Sequence, residues 1–232
     1  MMKTQSSSRN GAVEEQRHKE ETGKKQRPLL RGWLHAISIP FLIHAGIDLI
    51  HRAPTKPIQY ACMAYVVSAT LQFSVSALYN APTWDPETRA ALRKVDHACI
   101  YFLIAATYTP FCVVASETYP SSLVLLAFMW TVAIFGFARC FLKKDAFKSK
   151  AVSSATYILL GWCGSLAVVF GVFPSSVYRY LLFGGLWYSM GGIMYALHWP
   201  NPIRGIMEYH EVFHLCTIIA NSMMYEAVLQ AL

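Results

Sequence analysis

The sequence predicts an all-α, polytopic membrane protein, a bundle of seven transmembrane helices whose amino terminus is cytoplasmic. Three observations predict this fold. Hydrophobic residues make up 55% of the 232 residues and charged residues only 14%, whereas soluble domains carry about a quarter charged residues. Seven apolar runs of near-spanning length follow one another along the chain. Lys and Arg are concentrated in the segments on one side of these runs.

The chain divides into a short polar tail and one membrane domain. Residues 1–28 are polar and free of aromatic side chains, so they cannot bury a core and we expect a disordered cytoplasmic tail. Residues 29–232 then form the seven-helix transmembrane domain. Each apolar run is close to the roughly 20 residues that cross a hydrocarbon core. The runs lie near Trp33–Leu49, Ile58–Tyr79, Cys99–Ala115, Ser122–Leu142, Val152–Phe173, Val177–Leu197 and Val212–Leu229.

The distribution of basic residues predicts the orientation of the bundle. Of the 20 Lys and Arg residues, 17 lie on the side of the amino terminus, and only Arg52, Lys56 and Arg179 lie on the other. Basic residues accumulate in cytoplasmic loops, so the carboxyl terminus is predicted to be outside and the plasma membrane is the expected location. The same loops account for the net charge of +7. We therefore expect membrane lipids as partners, with no nucleic acid and no obligate protein partner.

Residues with the chemistry of metal ligands occur at the cytoplasmic ends of three predicted helices. The second run ends at Ser76 and Asn80, the third begins at Asp96, and the seventh begins with His210 and His214. Residues four apart share a helix face, and the topology brings all five to the same membrane depth. Two imidazoles and a carboxylate form a common catalytic zinc set, in which zinc lowers the pKa of bound water toward ~7. The alternative is that these groups only cap helix ends and bond to one another.

At these residues the chain resembles the hemolysin III branch of the progestin and adipoQ receptor family. The matching stretches are Arg31-Gly-Trp-Leu-His35, Ser76-Ala-Leu-Tyr-Asn80, Asp96-His97, Ile104-Ala-Ala-Thr-Tyr-Thr-Pro110 and Tyr209-His-Glu-Val-Phe-His214. The resemblance implies a seven-helix bundle with a zinc ion near its cytoplasmic side, held by three histidines. It also implies that His210 and His214 are metal ligands, that Asp96 is the acid that binds water, and that Ser76 lies beside them.

One position departs from the pattern of that family. The family has its first histidine four residues after the serine, and here that position is Asn80. An amide oxygen is a weaker zinc ligand than imidazole. Either Asp96 moves in to bind the metal directly, or a nearby histidine, His97 or His35, substitutes, or the site is weak or empty. The candidate ligands are His210, His214, Asp96 and Asn80. We expect weakened zinc binding with Asp96 close to the metal.

The segment His210-Glu-Val-Phe-His214 also fits the HExxH pattern of zinc proteases, in which the glutamate is the general base. That class needs a third ligand further along the chain, and the only downstream acid is Glu226, about 18 Å further along the same helix. Glu211 also lies about 100° around the helix from His210. We therefore expect Glu211 to act as an N-terminal charge that the helix dipole favours.

Three classes of function remain open at this stage. The resemblance favours a zinc-dependent hydrolase of lipid amide or ester bonds that is involved in membrane homeostasis, with Asp96 as the general base or water-orienting group and Ser76 near the substrate carbonyl. The second class is a non-catalytic, receptor-like membrane protein with a structural metal. The third is the membrane-lytic, hemolysin activity that the family name implies, for which the sequence offers little support, with no long amphipathic helix and no secretion signal. Asn80 shifts the weight from the first class toward the second.

Overall fold

The structure, a computed structural model, describes residues 27–142, 149–169 and 173–232, with residues 166–169 described by their backbone alone. Seven α-helices account for the regular structure in these ranges, apart from a single bridge between Ile203 and Met207. They are α1 (Trp33–Arg52), α2 (Lys56–Asn80), α3 (Pro86–Ala115), α4 (Ser122–Leu142), α5 (Lys150–Val169), α6 (Ser175–Leu197) and α7 (Tyr209–Ala231). The all-α class and the seven predicted runs are confirmed. Residues 1–26 of the predicted tail, and residues 170–172 of the fifth predicted run, lie outside the described ranges.

The outward faces of the helices are those of a membrane protein. Within the described residues, α1, α2, α3, α4 and α7 are long and apolar enough to cross a membrane. Large apolar side chains point away from the bundle, with Phe41, Val124 and Phe135 each 72% exposed. Exposed apolar surface on this scale indicates contact with lipid. The chain is therefore a polytopic membrane protein, while its orientation stays a prediction from the distribution of charge.

Helix α3 is the most buried of these membrane helices and packs against α2, α4, α5 and α7. It begins at Pro86, whose missing N–H costs nothing at the first helical position. The Asp85 carboxylate caps the helix by accepting hydrogen bonds from the backbone N–H groups of Glu87 and Thr88, each at 3.0 Å, and hydrogen bonding with Thr88 lowers the pKa of Asp85. The position of α3 places Asp96, in its third turn, inside the bundle.

The segment before α1 joins two loops at one end of the bundle. The backbone N–H groups of Leu29 and Leu30 donate to the carbonyls of Gly205 and Ile206, at 2.9 and 3.2 Å. The Arg27 guanidinium donates to the Pro82 carbonyl at 2.6 Å. These bonds hold together the start of α1, the end of α2 and the start of α7. The ends that carry the predicted site residues therefore meet at one end of the protein.

Gly32 allows this close approach, and its replacement should cost more than that of another glycine of the same conformation. Gly32 has a φ of 81°, and a Cβ there would lie 2.5 Å from the backbone nitrogen of Ala81. Gly205 has a φ of 77° but faces open space among the described residues. We expect Gly205→Ala to lower the free energy of unfolding by about 1–2 kcal/mol through backbone strain. Gly32→Ala should lower it by about 1–3 kcal/mol more, because the methyl group is also overpacked.

Reversible unfolding of the two variants in detergent measures both losses against the wild-type protein. Equal losses for Gly32→Ala and Gly205→Ala would show that the contact with Ala81 is loose enough to yield.

Candidate functional site

One internal cavity collects four of the five residues that the sequence singles out. Ser76 of α2, Asp96 of α3, and His210 and His214 of α7 all line it. Asn80 is buried at the end of α2 but is not among the described residues that line the cavity. Its side-chain amide donates to the Ser76 carbonyl oxygen of its own helix at 2.9 Å. That Asn80 binds a metal stays a prediction.

The histidine pair is held by the first turn of α7. A capping box closes that turn, in which Glu208 and Glu211 each accept a hydrogen bond from the other's backbone N–H, with the bond from Glu208 N to Glu211 Oε2 at 2.9 Å. Such a box satisfies two N–H groups that a helix terminus otherwise leaves without partners. The His210 and His214 ring centroids lie 4.6 Å apart. The pair is therefore fixed on one face of a well-capped helix end.

Glu211, the middle residue of the HExxH pattern, is used for structure. Its side chain is 1% exposed and forms an ion pair with Arg31, whose side chain is 18% exposed. It does not line the cavity among the residues that the structure describes. The ion pair with Arg31 agrees with the expected charge at the helix N-terminus, and it turns the Glu211 carboxylate to a structural partner where a zinc protease would have a base facing the site.

His35 of α1 joins the histidine pair. Its ring stacks on the His214 ring, with centroids 4.0 Å apart and planes parallel, and on its other face it stacks against Phe73 at 4.5 Å. His35 Nε2 lies 3.0 Å from the Thr217 hydroxyl oxygen, and that hydroxyl donates to the His214 carbonyl at 2.8 Å. His35 also lines the cavity. Three imidazoles, from two helices, are therefore neighbours at its polar end.

Asp96 faces the same cavity with long contacts. Its Oδ1 accepts from the Gln72 side-chain amide at 3.4 Å, and its Oδ2 lies 3.5 Å from Nδ1 of His97. His97 Nδ1 donates to the Arg93 carbonyl at 2.9 Å, which holds the ring beside the carboxylate. Asp96 is only 8% exposed, and a buried carboxylate is costly without close partners. The geometry leaves it able to accept a proton or approach a cation.

Several buried polar atoms at this end of the cavity have no hydrogen-bond partner among the described residues. They are His35 Nδ1, His214 Nδ1, His210 Nε2 and Gln72 Oε1. Within the described ranges, no three His, Cys, Asp or Glu side chains are placed so that they could hold a metal ion together. The donor chemistry suits zinc, which nitrogen and carboxylate oxygen ligands bind. The ring orientations are those of side chains packed against one another.

Beyond these groups the cavity continues as an apolar channel. Ile104 and Tyr108 of α3 line it, and so do Leu181 and Tyr188 of α6. From Asp96 to Tyr108 the helix rises about 18 Å, at 1.5 Å per residue. That depth exceeds half of the roughly 30 Å hydrocarbon core. A polar end with an apolar extension fits a ligand that has a polar group and a hydrocarbon chain.

Sequence reasoning did not find Gln72 or Thr217, which contact Asp96 and His35. Each lies at helical spacing from a residue that it did find, Gln72 four before Ser76 and Thr217 three after His214. That spacing places each on the same helix face as its neighbour and is the signal that could have found them.

Comparison with known proteins agrees with these motifs. The model of the family described as Haemolysin-III related matches residues 24–225. The chain is 32% identical to Hemolysin-3 of Bacillus cereus over 204 residues, which is 83% of this chain and 84% of that protein. It is 29% identical to the Hemolysin-3 homolog of Bacillus subtilis (strain 168), over 84% of this chain and 89% of that one. It is 27% identical to the human Monocyte to macrophage differentiation factor, over 84% and 80% of the two chains. The chain belongs to the haemolysin III-related family.

Proposed function

We propose that the chain is a zinc-dependent hydrolase that cleaves an amide or ester bond of a membrane lipid and so acts in membrane homeostasis. The observation that carries the proposal is the shared cavity, in which Ser76, Asp96 and the α7 histidines meet an apolar channel. The channel supports a lipid as substrate, because an acyl chain can lie beside α3 while its carbonyl lies near Asp96.

Each polar residue then has a separate task. A zinc ion, when bound by the histidines, supplies a Lewis acid and makes water nucleophilic at neutral pH. Asp96 accepts the proton of the attacking water and passes it to the leaving nitrogen or oxygen, as a general base and then a general acid. Gln72 orients that carboxylate through its amide at 3.4 Å. Ser76 donates its hydroxyl hydrogen to the substrate carbonyl.

Lipid turnover by the detergent-purified full chain tests this proposal. A long-chain N-acyl amide and a long-chain ester are offered to zinc-loaded protein, to protein treated with a chelator, and to treated protein after zinc is restored. We expect hydrolysis of one substrate that the chelator abolishes and zinc restores. If the zinc-loaded protein hydrolyses neither the amide nor the ester, the proposal is wrong.

A non-catalytic membrane protein with a structural metal is the second candidate. One observation favours it: Asn80 stands where the family resemblance implies a histidine ligand, and its side-chain amide donates to the Ser76 carbonyl at 2.9 Å, so the ligand set implied for catalysis lacks one imidazole. In that case zinc raises the thermal stability of the protein in the same preparation while neither lipid is consumed. A lytic activity would instead appear as leakage from liposomes that contain the protein, without lipid hydrolysis.

A further inference from the structure

We infer that His35 supplies the third imidazole ligand of the metal site, in place of the residue at position 80. This inference rests on the proposed metal site and names one more of its ligands. The third ligand then comes from α1 and not from α2. The sequence pattern left the choice of substitute open between His35 and His97.

The position of His35 favours it as the third ligand. His35 is 3% exposed, lines the cavity and lies in direct ring contact with His214 at 4.0 Å. His210 is the next ring, 4.6 Å from His214. Asn80, by contrast, directs its side-chain amide to the carbonyl of Ser76. The imidazole missing from α2 is thus matched by one on α1 that already adjoins the pair.

The hydrogen bonds of the His35 ring leave one of its nitrogens available to a metal. The Thr217 hydroxyl has a single hydrogen, which it donates to the His214 carbonyl at 2.8 Å. Its oxygen, 3.0 Å from His35 Nε2, can therefore only accept, so the proton of neutral His35 is on Nε2. Nδ1 then carries a lone pair, and it is buried without a partner among the described residues. Histidines that bind metals usually donate their other nitrogen to such an acceptor, which fixes the tautomer.

His97, the other histidine that the sequence offers as a substitute, is placed differently. His97 uses Nδ1 to donate to the Arg93 carbonyl at 2.9 Å and lies against Asp96, outside the stack of Phe73, His35 and His214. His35 instead presents an unpartnered nitrogen within that stack. The parallel rings of His35 and His214 do not face a common metal as they stand, so both would turn on binding, and the Cβ–Cγ torsion of histidine has a broad minimum. Three imidazoles are an established ligand set for zinc.

Zinc affinity of the purified full chain, measured by competition with a chromophoric chelator, tests the assignment. His35→Ala should weaken zinc binding by more than about 100-fold, above the loss seen when only an outer hydrogen-bond partner is removed. His35→Ala combined with Asn80→His should recover most of that affinity, because it returns an imidazole to α2. This recovery also shows that the His35→Ala background folds. His44→Ala, on the outer half of α1, is the control and should bind as the wild type.

A second pair of variants tests the role of Thr217. Thr217→Val keeps the shape but removes the acceptor, and should weaken zinc binding by roughly 10- to 100-fold, while Thr217→Ser keeps the acceptor and the affinity. The visible absorption of bound Co²⁺ should change in His35→Ala and return in the double variant.

The outcomes separate this assignment from the proposed function. If His210→Ala abolishes zinc binding while His35→Ala binds as the wild type, the assignment of His35 is wrong and the metal site stands. If the wild type itself binds no zinc, both the assignment and the proposed zinc chemistry are wrong.

Discussion

Asp96→Asn should lower lipid turnover by roughly 100- to 10,000-fold, the range that a positioned general base contributes. Asparagine has nearly the same shape and keeps the contact with Gln72, but it cannot accept the proton of the attacking water. Asp96 is the acid that lines the cavity beside the histidines, and its contacts at 3.4 and 3.5 Å are long enough to leave it free to act. Turnover is measured at saturating zinc, so that weaker metal binding does not contribute.

The matched control is Glu226→Gln, which removes another carboxylate from the membrane domain. Glu226 lines a separate groove among α1, α2 and α7, so its substitution should leave turnover unchanged. Unchanged turnover in Asp96→Asn would show that the Asp96 carboxylate takes no part in the reaction. An equal loss in both variants would point to a general effect of charge.

Arg31→Met should lower the free energy of unfolding by about 3–5 kcal/mol, the usual cost when one partner of a buried ion pair is removed. The variant leaves the Glu211 carboxylate, 1% exposed, buried without its countercharge. Glu211→Gln should cost less, because the amide still accepts from the Glu208 N–H and the remaining Arg31, at 18% exposed, can reach water. Unfolding of detergent-purified protein measures all losses.

The double variant Arg31→Met with Glu211→Gln completes the cycle. It should lose less than the sum of the single variants, because it leaves no unpaired charge. Additive losses would show that the two side chains do not depend on each other. Glu211 lies between His210 and His214, so loss of its ion pair with Arg31 should also disorder the start of α7.

The sequence predicts the helices well because hydropathy and length decide them. The apolar runs near Trp33–Leu49 and Ser122–Leu142 became α1 (Trp33–Arg52) and α4 (Ser122–Leu142). The third run, near Cys99–Ala115, marks only the apolar part of α3, which begins earlier at Pro86. Its first turns are polar and capped by Asp85, so hydropathy could not detect them.

For the site, the sequence predicts which residues share a helix face, but it does not predict which helices are in contact. The spacing of His210 and His214 places both on one face, and topology places Asp96 at the same depth. Which helices touch depends on packing, which hydropathy does not encode. The contacts of Arg31 with Glu211 and of His35 with Thr217 join residues 180 and 182 positions apart. For that reason sequence reasoning could name His35 as a candidate but could not place its ring against His214.

The zinc content of the purified wild-type chain decides whether this metal site exists. We expect about one zinc ion per chain, bound by the histidines at the polar end of the cavity, and its loss in the His210→Ala, His214→Ala variant. A wild-type protein that carries no zinc after incubation with the metal, or one whose zinc is unaffected by the double substitution, would contradict it.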